Sequence, residues 1–381
     1  MTHRERFLRT THFQSVDRVP DWEFGYWDDT LADWHEQGLP REIDSNEKAD
    51  VYFGFDPARH IPVHTGLLPG FKRQVLEDRG GQVLVRDSDG ATCLISGTGR
   101  SSIPRFLEFA LKGRESWEQE FRPRLDADSP RRRPRPEKWG RLRQEYDQRD
   151  YPLGIGIGGL YGVMRNWMGF EGAAMLIHDD PVLVEEIFDR LTEIILKNVR
   201  SVPEGVVIDF GSGWEDMCFN KGPMISPAAF EKLMVPRYRR IADALREHGC
   251  DVAYIDCDGN INQLVPLWLK GGINGMFPVE VAAGSDPLAL REQYGKEVLL
   301  FGGVNKRALA RGKEAIRREL ERIFPVVQQG GWIPHVDHRV PPDVTLDDYL
   351  YYLKLKRDML GIPEPAPWEE RRSPAAREGA L

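Results

Sequence analysis

The chain has 381 residues, a formal net charge of −8 and a hydrophobic content of 41%. That apolar share supports a sizeable core, and the acidic balance argues against nucleic acid, which selects basic faces. No run of about eighteen apolar residues occurs, so no membrane span is expected.

The polar start, MTHRERFLRTT, lacks the apolar stretch of a signal peptide. Thr2 and Glu5 form a capping-box pattern ahead of Phe7 and Leu8, which predicts a short first helix. DRVPDWEFGYWDD, residues 17–29, reads as an extended segment and then an aromatic turn. Residues 75–96 alternate and are punctuated by Gly80-Gly81 and Asp89-Gly90, the pattern of a small antiparallel sheet. Residues 123–137 form a Pro/Arg/Asp-rich connector, and its run Arg131-Arg132-Arg133-Pro134-Arg135 reads as a solvated loop.

Beyond the connector, short apolar runs alternate with helices. YPLGIGIGG leads to helices near 171–178 and from Pro181 to about Val202. GVVIDF leads to one long helix from Pro227 to His248, and CDVAYID to a helix from about Ile261 to Leu269. INGMFPVE leads to Pro287–Tyr294, EVLLFGGVN to 306–311 and 313–328, and GGWIPHVDH to Leu346–Leu360. Six such units favour a closed (β/α)8 barrel over an open sheet. GIGIGG at 154–159 matches the dinucleotide pattern by letter, but the acidic residues at the right distance, Asp179 and Asp180, precede a helix rather than end a strand. One domain is therefore expected over 1–362, with a disordered Pro-, Glu- and Arg-rich tail over 363–381. The four cysteines contain no CxxC pair, so a reducing cytoplasm is expected, and Cys218, Cys250 and Cys257 read as structural thiols.

In such a barrel the active site lies at the C-terminal ends of the strands. The expected strand ends bring Asp209, Trp214, Glu215, Asp216, Asp256, Asp258, Glu280, Asn305, His335, Asp337 and His338 to one mouth. So many like charges need a cation, a proton or a basic substrate. Capping accounts for any one Asp in a βα loop. Asp256-Cys257-Asp258 stands apart, because alternate residues of an extended segment point the same way and a cap needs only one carboxylate.

The sequence resembles the uroporphyrinogen decarboxylase superfamily, which includes the zinc-dependent methylcobamide methyltransferases. The resemblance is carried by DRVP at 17–20, GPMISPAAFEKLMVPRY at 222–238 and DGNINQLVPLWLKGGINGMFPVE at 258–280. AGSDPLALREQYGKEVLLFGGVNK at 283–306 and DHRVPPDV at 337–344 complete it. It implies a (β/α)8 barrel, with His338 as the active-site histidine. The arginine segment with which the decarboxylases grip a polycarboxylate is replaced here by DWEFGYWDD. The His/Cys/Cys zinc set of the methyltransferases corresponds to Asp256, Asp258 and His338. That set implies a divalent transition metal, zinc or iron, on harder donors. A site without a metal, using the same carboxylates, is the alternative.

The leading expectation is metal-assisted methyl transfer in corrinoid-linked one-carbon metabolism, with the corrinoid carried by a partner protein. DWHEQG at 33–38 matches a corrinoid-binding pattern only by letter. Glu215, Asp216, Glu280 and His338 are the catalytic candidates. Trp22, Tyr26, Trp27, Arg165, Trp214 and Asn305 are the substrate-binding candidates. Decarboxylation of another carboxylic acid is the second expectation, with Arg165 and Arg339 as clamp. A non-catalytic partner of a corrinoid protein is the third. The family likeness makes a homodimer the expected assembly.

Overall fold

A computed structural model describes residues 1–97 and 104–371. Seven parallel strands run in the order Arg59–Ile61, Leu153–Gly158, Phe210–Trp214, Ala253–Asp256, Gly275–Phe277, Leu299–Phe301 and Trp332–Ile333. The extended segment 21–26 fills the eighth side. The Asp56 amide donates to the Asp21 carbonyl at 2.9 Å, and the Val340 amide donates to the Gly25 carbonyl at 2.9 Å. Tyr26 bridges Val340 in parallel register. The result is a (β/α)8 barrel with a separate antiparallel sheet.

Side chains alternate along each strand. Tyr254 and Asp256 point into the barrel, while Ala253 and Ile255 pack outward. The interior is aromatic: Phe7, Phe210 and Phe301 are buried with Ile333, Leu299 and Val252, and Trp22 packs against them. Phe7 comes from the first helix, His3–Thr11, whose Thr2–Glu5 capping box forms as expected. Phe7 stacks on Trp22 at 5.4 Å and packs on Phe210 at 5.4 Å, plugging the barrel's N-terminal end. The large outer core lies between strands and helices.

Local signals predicted several helices to the residue. Pro287–Tyr294 and Leu346–Leu360 form with the expected bounds, capped by Asp286 and Thr345. The expected helix from Pro227 to His248 is two helices, Pro227–Leu233 and Val235–Glu247, with Pro236 in the first turn of the second. The helix expected near 171–178 starts earlier, at Tyr161, and kinks at Gly169, whose φ of 77° lets Phe109 pack on it. The small sheet has a fourth strand, Arg105–Glu108, that its weak pattern did not announce.

Three expectations are corrected. The strand after Gly205 is Phe210–Trp214, not the apolar run ending at Asp209. A Cβ at Gly211 would lie 2.7 Å from Leu245, and one at Gly213 2.5 Å from Ile255, so close packing demands a glycine-rich strand that reads as a loop. Asp209 therefore lies at the N-terminal end, gripped by Arg4 at 2.9 Å, Arg149 at 3.1 Å and the Leu153 amide at 2.9 Å. Arg132 is not solvated: it is fully buried and donates to the carbonyls of Asp126, His64, Gly66 and Arg124. Residues 363–371 dock on helix Asn46–Phe53, with Trp368 against Tyr52 and Arg371 bonded to the Tyr52 carbonyl. Residues 372–381 of the expected tail lie outside the described residues. No helix of the described residues is long and apolar enough to cross a membrane.

Candidate active site at the barrel mouth

The strand ends surround a cavity of about 470 Å³. Phe24, Trp214 and Phe277 supply its walls, and Gly156, Gly158 and Gly159 leave one side without side chains. Asp256 ends its strand facing this space. Its carboxyl is held well above the ordinary range, first by burial and then by the charges of Asp258 and Asp216, against the pull of Arg339. No described residue donates a hydrogen bond to it.

Asp258 follows at the rim. Its Oδ2 pairs with His338 Nε2 at 3.0 Å, while its Oδ1 is buried without a hydrogen-bond partner among the described residues. Burial pulls the His338 imidazole down, but the bond to Asp258 and its charge outweigh that, so the net direction is up. His338 is sandwiched by aromatic rings, stacked on Trp27 at 5.6 Å and edge-on to Phe24 at 5.5 Å. Arg339 covers Trp27 at 5.4 Å. Asp216 takes the left-handed conformation, with φ of 47°, and its Oδ1 accepts the Asp258 amide at 3.2 Å. Its carboxyl is raised by burial and by Asp258. Arg165 lies 3.7 Å from Asp216 and 5.6 Å from the centre of the Trp214 ring.

Other expected site residues serve the frame. Glu215 is fully buried, and its oxygens accept the Leu160 and Gly162 amides at 2.7 Å each, together with the Tyr238 hydroxyl. Burial still pushes its carboxyl up to about 7. Glu215 therefore clamps one βα loop to the next and does not line the mouth, a correction to its catalytic assignment. Glu280 bonds Lys306 at 2.6 Å and the Gly259 amide at 2.8 Å, bracing the loop that carries Asp258. Asp337 holds the Lys306 and Ala282 amides, and burial raises it to about 6.

Asn305 is a helix cap that accepts the Arg307 amide at 3.0 Å. Tyr26 is fully buried and shares a hydroxyl bond of 2.7 Å with Tyr349. Trp22 belongs to the barrel's aromatic floor. None of these three lines the cavity: Asn305 is spent on its cap, Tyr26 on the core and Trp22 on the floor of the barrel. Trp214 lines the cavity, Arg165 lies against it, and Trp27 stacks on His338. His335 faces the interior under Phe277, driven down to about 3 by burial, and Glu23 beneath the mouth is raised to about 7 by burial.

The sequence reading missed Phe24, His60, Ser212, Tyr254 and Phe277. Inward alternation along the strands that end at Asp256 and Phe277 would have found Tyr254 and Phe277; His60 and Ser212 sit on strands the sequence did not announce. Cys257 is buried beneath the mouth, where its thiol accepts the Met217 amide at 3.3 Å, as its position between two carboxylates on the opposite side of the chain predicted. Among the described residues no three His, Cys, Asp or Glu side chains converge to hold a metal ion. The direct Asp258–His338 bond occupies two of the three expected donors, so the Asp256, Asp258, His338 set does not fit an ion in this conformation.

The family model for uroporphyrinogen decarboxylase matches residues 99–357. The chain belongs to the uroporphyrinogen decarboxylase family. It is 27% identical to the uroporphyrinogen decarboxylase of Pseudomonas fluorescens over 191 residues, 46% of this chain and 48% of that protein. It is 30% identical to the chloroplastic uroporphyrinogen decarboxylase of Zea mays over 115 residues, 29% of this chain and 27% of that protein. The chain thus spans less than half the length of these curated relatives. A methyltransferase from Methanosarcina mazei has the same fold, with a TM-score of 0.59 at 16% identity over 94% of this chain and 98% of that one. The family is named for an enzyme, uroporphyrinogen decarboxylase.

Proposed function

We propose that the chain catalyses methyl transfer from a neutral, heteroatom-bearing substrate, with Asp256 as the proton donor to the leaving atom. One observation carries the reading. A carboxyl biased toward its neutral form faces an aromatic-walled cavity, and the cations around the mouth are already engaged. Lys306 is paired with Glu280, Arg165 lies against Asp216 and Trp214, and Arg339 lies over Trp27. A polycarboxylate would meet an acidic rim here. A neutral aromatic ether or thioether would meet stacking faces and an acid. The whole-chain likeness in fold to a methyltransferase agrees with this.

In the step proposed, the bond from methyl to heteroatom breaks and the leaving atom takes the Asp256 proton. That proton is restored from solvent through the hydrogen-bonded His338–Asp258 pair at the rim, with the His338 imidazolium as its source. When bound, a corrinoid on a partner protein supplies the methyl acceptor. No step is assigned to a metal, since the three donors would first have to exchange the Asp258–His338 bond for an ion.

The test incubates the protein with reduced cobalamin and a panel of methoxy- and methylthio-aromatics, and follows corrinoid methylation by absorbance. Methylation that is lost in Asp256→Asn supports the reading. Carbon dioxide released from aromatic acids without methylation would instead assign decarboxylation, which the family match favours. Neither product, with tight binding to a corrinoid protein, would assign a non-catalytic partner. Elemental analysis of the same preparation, with Asp256→Ala beside it, decides whether zinc or iron belongs in the scheme.

A further inference from the structure

We propose that His60, Ser212 and Tyr254 form a second subsite, at the floor of the cavity, that takes a hydroxyl or carbonyl substituent of an aromatic substrate. This rests on the methyl-transfer reading of the mouth and names its substrate class. The substrate is an aromatic ring with a hydrogen-bonding group at the end away from the reacting heteroatom.

The floor of the cavity carries three polar side chains that bond one another. His60 Nε2 lies 3.0 Å from Ser212 Oγ, and Tyr254 stands directly across from Ser212 in the strand register. All three line the same cavity as Asp256. Beneath them the barrel turns apolar: Phe210 stacks on Tyr254 at 5.8 Å and meets the His60 ring edge-on at 5.2 Å. Burial keeps the His60 imidazole low, so it is a neutral partner with one donor and one acceptor nitrogen. The Ser212 hydroxyl has one donor and two acceptor sites; its interactions with His60 and Tyr254 use two of them and leave one for a ligand.

The spacing fits a ring. Trp214 and Asp256 pair with each other two residues further along the strands that carry Ser212 and Tyr254. At about 3.3 Å per residue, the floor lies about 6–7 Å below the mouth carboxyl. A benzene ring with substituents at opposite positions spans that gap. The slot is open beside it, because a Cβ built at Gly156 would meet only Val63, at 4.0 Å. Phe24 and Phe277 line the same space, edge-on to each other at 4.7 Å.

Equilibrium binding without corrinoid tests this. Affinities for methoxybenzene and 4-methoxyphenol are measured by calorimetry on the full chain. The wild type is expected to bind the phenol about tenfold more tightly, the worth of one well-made neutral hydrogen bond. Ser212→Ala and His60→Phe should each bring that ratio to about two while leaving methoxybenzene affinity unchanged. His60→Gln, which keeps a polar partner for Ser212, should restore part of the preference. Asp256→Asn should leave the preference intact. Equal affinity for the two ligands, a preference that survives both Ser212→Ala and His60→Phe, or no binding of either ligand would overturn the subsite. A preference that behaves as expected in a protein that transfers no methyl group would leave the subsite standing and refute only the reaction.

Discussion

Glu215 makes the sharpest distinction between frame and chemistry. It accepts two backbone amides at 2.7 Å each and the Tyr238 hydroxyl, all fully buried. Glutamine keeps the shape but presents an NH₂ to one of those donors. A buried donor left without its acceptor costs about 1–3 kcal/mol, so Glu215→Gln should lose that much stability. Glu215→Ala leaves three donors and a void and should cost about 4 kcal/mol or more. Tyr238→Phe removes a single donor and should cost about 1 kcal/mol. Burial holds the folded carboxyl at about 7 against an ordinary 4.5, so the fold binds its proton more tightly than the unfolded chain does. Wild-type stability from this group is therefore full below about 4.5 and falls as pH rises through 7. Glutamine cannot titrate, so the gap between wild type and Glu215→Gln should narrow across that window. Guanidinium unfolding followed by circular dichroism at several pH values measures both. Amide exchange at Leu160 and Gly162 should quicken in step. A Glu215→Gln protein with wild-type unfolding midpoints but no turnover would refute the reasoning and return Glu215 to catalysis.

Three further outcomes follow from the same geometry. Gly162→Ala should unfold the protein or cost more than about 3 kcal/mol, because its Cβ would sit 2.0 Å from the Glu215 carbonyl oxygen; soluble yield and melting temperature check it. Asp258→Asn should lower the His338 pKa, since the hydrogen bond and charge that raise it are removed; an NMR titration of the imidazole reads this directly. Glu23 and Asp50 are each raised to about 7 by burial, and Asp50 also by the Glu23 charge. At these two carboxyls the folded chain holds more protons than the unfolded one from about pH 4 to 7, so their contribution to stability declines over that range. The stability of wild type minus that of Glu23→Gln should fall across that range, and a difference that instead rises with pH would contradict the assignment.

Much of the barrel was legible because its signals are local. Helix Leu346–Leu360 has a Thr345 cap and helix Pro287–Tyr294 an Asp286 cap, each beside its own apolar stripe. Strand Phe210–Trp214 was not legible, because its glycines answer to Leu245 and Ile255 on other elements. Asp209 was misassigned with it. The mouth was half legible. Asp256, Asp258, Asp216 and His338 do assemble there, with Trp27, Arg165 and Trp214 around them. Glu215, Asn305 and Tyr26 share the chemistry of site residues but spend it on loop, helix and core contacts.

By itself the sequence determined the alternation of strands and helices, the acidic strand ends and the family motifs. Each is a property of neighbouring residues and of hydrophobic period. Only the tertiary structure decided which carboxylates face the cavity and which hold the frame. Asp256 and Glu215 carry the same group at the ends of adjacent strands. One meets open space and like charges, while the other meets two amides and a phenol. That difference comes from strand register and from loops distant in sequence, and neither is written in the residues beside each carboxylate.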